Sequence, residues 1–131
     1  MDSSVQQDLA KLFLRIVLGA LILLHGVAKL RGGIAGIEGM VQAHGLPGWL
    51  AYGVVIGEVI APLMLLAGYH ARIGGVAIAI NMLVAIALVH MGELGRFNGQ
   101  GGWAIELQAM FLVTAVAIAL LGPGKYSANG R

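Results

Sequence analysis

Residues 14–30 read LRIVLGALILLHGVAKL. An arginine stands near the start of an apolar run, and a histidine and then a lysine stand near its end. Between them lie only Leu, Ile, Val, Ala and Gly, with no proline to break a helix. With its flanks the run covers Leu9–Leu30, and a helix needs roughly 20 apolar residues to cross a bilayer. Three more segments of this kind follow at Trp49–Tyr69, Ile73–Met91 and Trp103–Leu121. Of 131 residues, 59% are hydrophobic and 11% charged, and the mean hydropathy is +0.89. That is too little charge to cover a soluble domain of this size. The expected fold is all-α: an integral membrane four-helix bundle, one domain over residues 1–131, surrounded by the lipid bilayer.

The first segment differs from a cleaved signal peptide. GVAKLRGG (26–33) follows it without an A-x-A-like cleavage site, and Asp2 and Asp8 interrupt what would be a basic leader. It is expected to remain as a helix. The 21 glycines suit membrane helices, which approach closely where residues are small. Gly53, Gly57 and Ala61 form such a ridge on the second helix. The lack of cysteine excludes a dithiol relay, a thiolate nucleophile and a thiolate-bound metal. Any redox chemistry must then run through a bound cofactor or a partner.

Four crossings put both termini on one side. Lys11, Arg15, Arg72, Lys125 and Arg131 fall on that side, against Lys29, Arg31 and Arg96 on the other, which favours cytoplasmic termini. A formal charge of +2 is no nucleic-acid footprint. The connection Gly32–Gly48 is too long for a tight turn. Ile34, Ile37, Met40 and Val41 recur in it at helical spacing until HGLP (44–47) ends the pattern. This predicts a short interfacial helix between helices 1 and 2. GELGRFNGQGG (92–102) predicts a mobile loop and AGYHARIG (67–74) a short connection.

A charge inside a bilayer costs about 2.5–3.5 kcal/mol on insertion scales and as a rule faces the bundle interior. Counted from the middle of each span, Glu58 and Asn81 fall near the centres of the second and third helices. Arg15 falls about five residues to the terminal side of the first centre, roughly 7.5 Å at 1.5 Å per residue. The expectation is one buried polar cluster of Arg15, Glu58 and Asn81. Pro62 adds to it, because a proline withholds the hydrogen bond due to the carbonyl four residues earlier, that of Glu58. Arg15 with Glu58 also has a plainer reading, as an ion pair that fixes helix register.

Nearer the outer face the same count gathers His25, His90, Trp103 and Glu106. Lys29 shares a sector of the first helix with His25, Gly26 and Arg15, which makes it a ligand or proton-relay candidate too. His90 follows Asn81 by nine residues, on the opposite face of an ideal helix, so only one of them faces the core unless the helix ends first. Plainer roles stand beside these. Lys29 and Arg31 suit snorkelling to headgroups, and Trp49 and Trp103 suit the aromatic belt. His44 and His70 read as loop residues, Gln108 as a bond to a neighbouring helix, and His25 as a wet interfacial histidine. No catalytic residue and no metal site stands out.

The order LRIVLGALILLHGVAKL, GEVIAPLMLLAGYHARIG, INMLVAIALVH, GGWAIEL and LGPGKYS resembles the DoxX family of small bacterial membrane proteins. The resemblance runs from about Leu12 to Ser127, after a polar N-terminal extension. It implies a four-helix bundle in the bacterial inner membrane and an association with oxidoreductase systems. Relatives include a subunit of thiosulfate:quinone oxidoreductase, and others accompany proteins of thiol-oxidative stress. The family's polar positions match Arg15, His25, Lys29, Glu58, His90 and Glu106.

Several functions stay open at this point. One is a quinone-linked redox subunit, with His25, Lys29 and His90 as donors and Glu58 or Glu106 as proton relays. His25 and His90 also suit a b-type haem, and with Glu106 a divalent metal. A non-catalytic scaffold or partner subunit of an oxidoreductase or stress-response complex would use the small-residue ridge to bind a membrane or peripheral protein. A small-solute carrier would need a homo-oligomer to form a pore.

Overall fold

The computed structural model describes residues 3–87, 95–97, 99, 102 and 104–128, and the regular elements among them are helices. Helix α1 covers Ser3–Arg31, beginning before the apolar run does. Lys29 and Arg31 occupy its last turn, where the helix dipole favours cations. Gly32 and Gly33 end it, Gly33 at φ 84. Helix α2, Ile34–Ala43, buries Ile37 and Val41 against Ala51, with Leu46, Leu50 and Val54 alongside. Its apolar residues recur every three to four positions, so one face packs on the start of the next helix.

Helix α3, Gly48–Ala67, changes pitch along its length. It opens with a 3₁₀ turn after Pro47, continues as α-helix over Ala51–Val55, widens to a π turn at Ile56–Ile60 and returns to α-helix at Ala61–Ala67. Pro62 accounts for the widening. It has no N–H for the carbonyl of Glu58, and the neighbouring Ala61 amide donates back to Ile56, five residues away. Gly68, at φ 71, closes the helix while Tyr69 donates to the Met64 carbonyl at 2.9 Å, a Schellman stop. Helix α4 is Ala71–Ala85, continued as a π turn at 86–87, and α5 is Glu106–Leu121.

Helices α1, α3, α4 and α5 share one core, centred on Leu18, Ile22, Leu65, Ile78, Phe111 and Ile118. Large apolar side chains also cover the outward surface: Phe13, Leu24, Ile73, Val113 and Leu120 are all more than half exposed. Such a surface suits hydrocarbon, where packing rather than the hydrophobic effect holds helices together. Two helices, α1 and α3, are long and apolar enough to cross a membrane, and α4 and α5 are shorter apolar helices. The predicted loop at 92–102 falls largely outside the described residues, as does the end of the predicted third span.

Candidate functional site

The site begins with Gly26. A Cβ there would collide with the backbone carbonyl of Glu58, so only glycine lets α1 lie this close to the π turn of α3. Lys29 follows Gly26 by three residues and shares its face. Its Nζ meets Oε2 of Glu58 at 2.6 Å. From the other side Gly57 performs the same service for α4. A Cβ at 57 would stand 2.6 Å from that of Asn81, and the close approach lets Asn81 Nδ2 donate to Glu58 Oε2 at 3.2 Å. Glu58 is 3% exposed and Lys29 39%. One carboxylate oxygen thus takes two donors, one of them charged.

Lys29 thus gives its ammonium to Glu58 while its side chain stays partly exposed. A carboxylate this buried demands a cation, and the four-carbon stem of Lys29 reaches it from the end of α1. The small-residue ridge of α3 is likewise occupied within the chain: Gly57 abuts Asn81, and the Ala61 carbonyl lies against Gly74. Gly53 faces open space.

Arg15 is not part of this cluster. Its Nη1 donates to the Leu65 carbonyl at 2.8 Å, and its Nη2 donates to the Tyr126 carbonyl. The side chain is 1% exposed, and Nε has no hydrogen-bond partner among the described residues. Counting depth from span centres put Arg15 about five residues from the level of Glu58, within reach of its long side chain, but the α1 residue at that level is Gly26. The difference, eleven residues, is roughly 16 Å along the helix. Arg15 instead occupies the carbonyl end of α3, the negative pole of that helix.

The C-terminal segment 122–128 closes over the same end. The amide of Lys125 donates to Asp8 Oδ1 at 3.1 Å and that of Ala128 to the Ala67 carbonyl at 3.0 Å. Arg72 caps α5, its Nη1 donating to the carbonyls of Ala119 at 3.1 Å and Leu120 at 2.7 Å. Neither role was read from the sequence. A basic residue beside a short turn signals capping only once the neighbouring helix end is known.

At the opposite end His25 stands edge-on to Phe111 of α5, ring centroids 5.6 Å apart at 78°. Such pairs contribute about 0.5–1.5 kcal/mol beyond the area they bury. His25 and Phe111 border a cavity of about 70 Å³ that Lys29, Glu58 and Gln108 also line, large enough to admit water. Glu106 is exposed in the first turn of α5, its carboxylate against Gly102. His90 and Trp103 lie outside the described residues, and with them the two-histidine haem and the metal set that includes His90. Among the described residues no three His, Asp or Glu side chains gather as metal ligands. His44 bonds the Met40 carbonyl through Nδ1 at 2.9 Å, and His70 packs on the ring of Tyr69.

Chemically, the floor of the cavity offers a buried carboxylate paired with an ammonium that reaches the surface. The carboxylate can take a proton, and the ammonium can turn its donors toward a ligand oxygen. His25 adds a group able to donate or accept.

Comparison with known proteins places the chain in a family. The protein named "Putative oxidoreductase CatD" from Bacillus subtilis (strain 168) is 30% identical over 118 residues, covering 88% of this chain and 81% of that protein. No solved structure matches the chain. A family model, DoxX, matches residues 10–91, a stretch that holds Gly26, Lys29, Gly57, Glu58 and Asn81. The chain belongs to the DoxX family of membrane proteins.

Proposed function

We propose that the protein is a multi-pass subunit of the bacterial inner membrane that binds a quinone head group for a partner oxidoreductase. In this reading α1, α3, α4 and α5 form a four-span bundle, and α2 lies in the outer interface. The observation that carries it is the Lys29–Glu58 pair, at 2.6 Å, on the floor of a cavity bordered by His25. Cytoplasmic termini are supported by the basic residues gathered at one end: Arg72 on the end of α5, Lys11 against Gly124, and Lys125 beside Asp8.

A quinone has two carbonyl oxygens that accept hydrogen bonds, and its two-electron reduction consumes two protons. Lys29 and His25 supply donors, and Glu58 supplies a proton-exchanging group held in place by Asn81. With no cysteine in the chain, electrons would come from a partner protein. The name of the Bacillus relative, "Putative oxidoreductase CatD", points the same way. The competing reading is a non-catalytic scaffold. Its support is the open space beside Gly36 and Gly39 of α2 and beside Gly53 of α3, where a partner helix or a second copy could pack.

The test uses protein purified in mild detergent, its organic extract analysed for quinones by mass spectrometry beside an unrelated membrane protein. A stoichiometric quinone, lost in His25→Ala and Lys29→Met while the bundle stays folded, is the expected result. A quinone content no higher than the control, together with no binding of added quinone in lipid nanodiscs, would favour the scaffold.

A further inference from the structure

The geometry points to a ligand that enters from the lipid, between α1 and α5, and leaves its apolar tail outside. The inference rests on the quinone reading and adds the side on which the site opens. The polar groups of the cavity are the Lys29–Glu58 pair, His25 and Gln108. Ile22, Met82, Leu107 and Phe111 make its walls apolar. Its exposed rim residues are His25 of α1 and Leu107 of α5. Beside that rim Leu21, Leu24 and Met110 are 42%, 67% and 63% exposed, an apolar track suited to an alkyl or isoprenoid chain and ill suited to water. At about 70 Å³ the cavity is smaller than the roughly 150 Å³ that admits a benzene ring. The ring is admitted when His25 and Phe111 part, and their edge-on pairing is the only described aromatic contact across this seam. His25 and Phe111 therefore act as a gate facing the bilayer.

Binding in lipid nanodiscs tests this with one benzoquinone ring in two forms, one tail-less and one carrying a long isoprenoid tail. Dissociation constants are expressed against the concentration of each in the lipid phase. A site open to lipid holds both forms about equally, because the tail never leaves the hydrocarbon. Leu107→Trp and Met110→Trp narrow the exit for the tail, and each is expected to raise the tailed-to-tail-less ratio about tenfold, equivalent to about 1.4 kcal/mol. Leu107→Ala is expected to leave the ratio near one. Two results overturn lateral entry while sparing the quinone reading. One is wild-type protein that binds the tail-less ring and rejects the tailed one. The other is a ratio that neither tryptophan variant moves. If neither form binds the wild-type protein, both the quinone reading and lateral entry fall.

Discussion

Gly57 on α3 lies so close beneath Asn81 on α4 that a Cβ at 57 would stand 2.6 Å from the Asn81 Cβ. That approach, more than the polarity of Asn81, is what lets its amide reach Glu58. It makes a backbone position on one helix responsible for a side-chain hydrogen bond on another.

Gly57→Ala is accordingly expected to push α3 and α4 apart and to lose the Asn81–Glu58 bond, at a cost of about 1–3 kcal/mol, the usual range for overpacking. Gly53→Ala is the control. It lies on the same helix with nothing near its missing side chain, so it should be neutral or stabilise by up to about 1 kcal/mol through helix propensity. Thermal unfolding in mild detergent compares the two, and equal midpoints would remove close packing as the cause.

A second prediction concerns the pair itself. Lys29→Met strands a carboxylate that is 3% exposed. The expected loss is about 2 kcal/mol, less than the roughly 3–5 kcal/mol of a fully buried pair because Lys29 reaches the surface. Glu58→Gln costs less, since the amide oxygen still accepts from Lys29 and Asn81. The double variant Lys29→Met/Glu58→Gln should be more stable than Lys29→Met alone. Denaturation midpoints in one detergent close the cycle, and simple additivity of the two single changes would show that the pair is not coupled.

These two tests mark where sequence reading stops. Helical character was legible for the described spans, because apolar runs of this length suit helices even where one carries Pro62, and the order of motifs carried the family. Glu58, Asn81 and Arg15 marked themselves by standing in apolar runs. Which of them meet was not legible, because it depends on how far antiparallel helices slide past one another. That slide is set here by Gly26 resting on the Glu58 carbonyl, which brings Lys29 rather than Arg15 to the carboxylate. Pro62 gave a partial signal. It announced that the backbone at Glu58 would depart from α geometry, though not that a π turn would absorb the change.

Arg72 offers a third test at the terminal end. Its guanidinium satisfies the carbonyls of Ala119 and Leu120 at the last turn of α5. Arg72→Ala leaves both to solvent and removes a cation from the negative end of the helix, with an expected cost of about 0.3–1 kcal/mol. Hydrogen exchange should quicken at the amides of Ile118 to Gly122 and stay unchanged around Glu58. Faster exchange across all the described helices would mean that Arg72 holds more than one helix end.

Arg15 makes the most distinctive prediction, because one guanidinium joins the end of α3 to the C-terminal segment through Leu65 and Tyr126. Arg15→Lys keeps the charge but replaces a planar fork with a single point donor, which cannot hold both carbonyls in that geometry. Hydrogen bonds from charged donors contribute about 1.5–3 kcal/mol each, so losing one should free the segment without unfolding the core of Leu18, Ile22 and Leu65. Trypsin cleavage after Lys125 should accelerate, and the Ala128 amide, bonded to the Ala67 carbonyl, should exchange faster. A chain ending at Gly124 supplies the decisive comparison. It has no Tyr126 carbonyl to lose, so Arg15→Lys should cost less there than in the full chain. Equal costs in the two backgrounds would mean that Arg15 acts on α3 alone and that the segment is held by Asp8 and Ala67 without it.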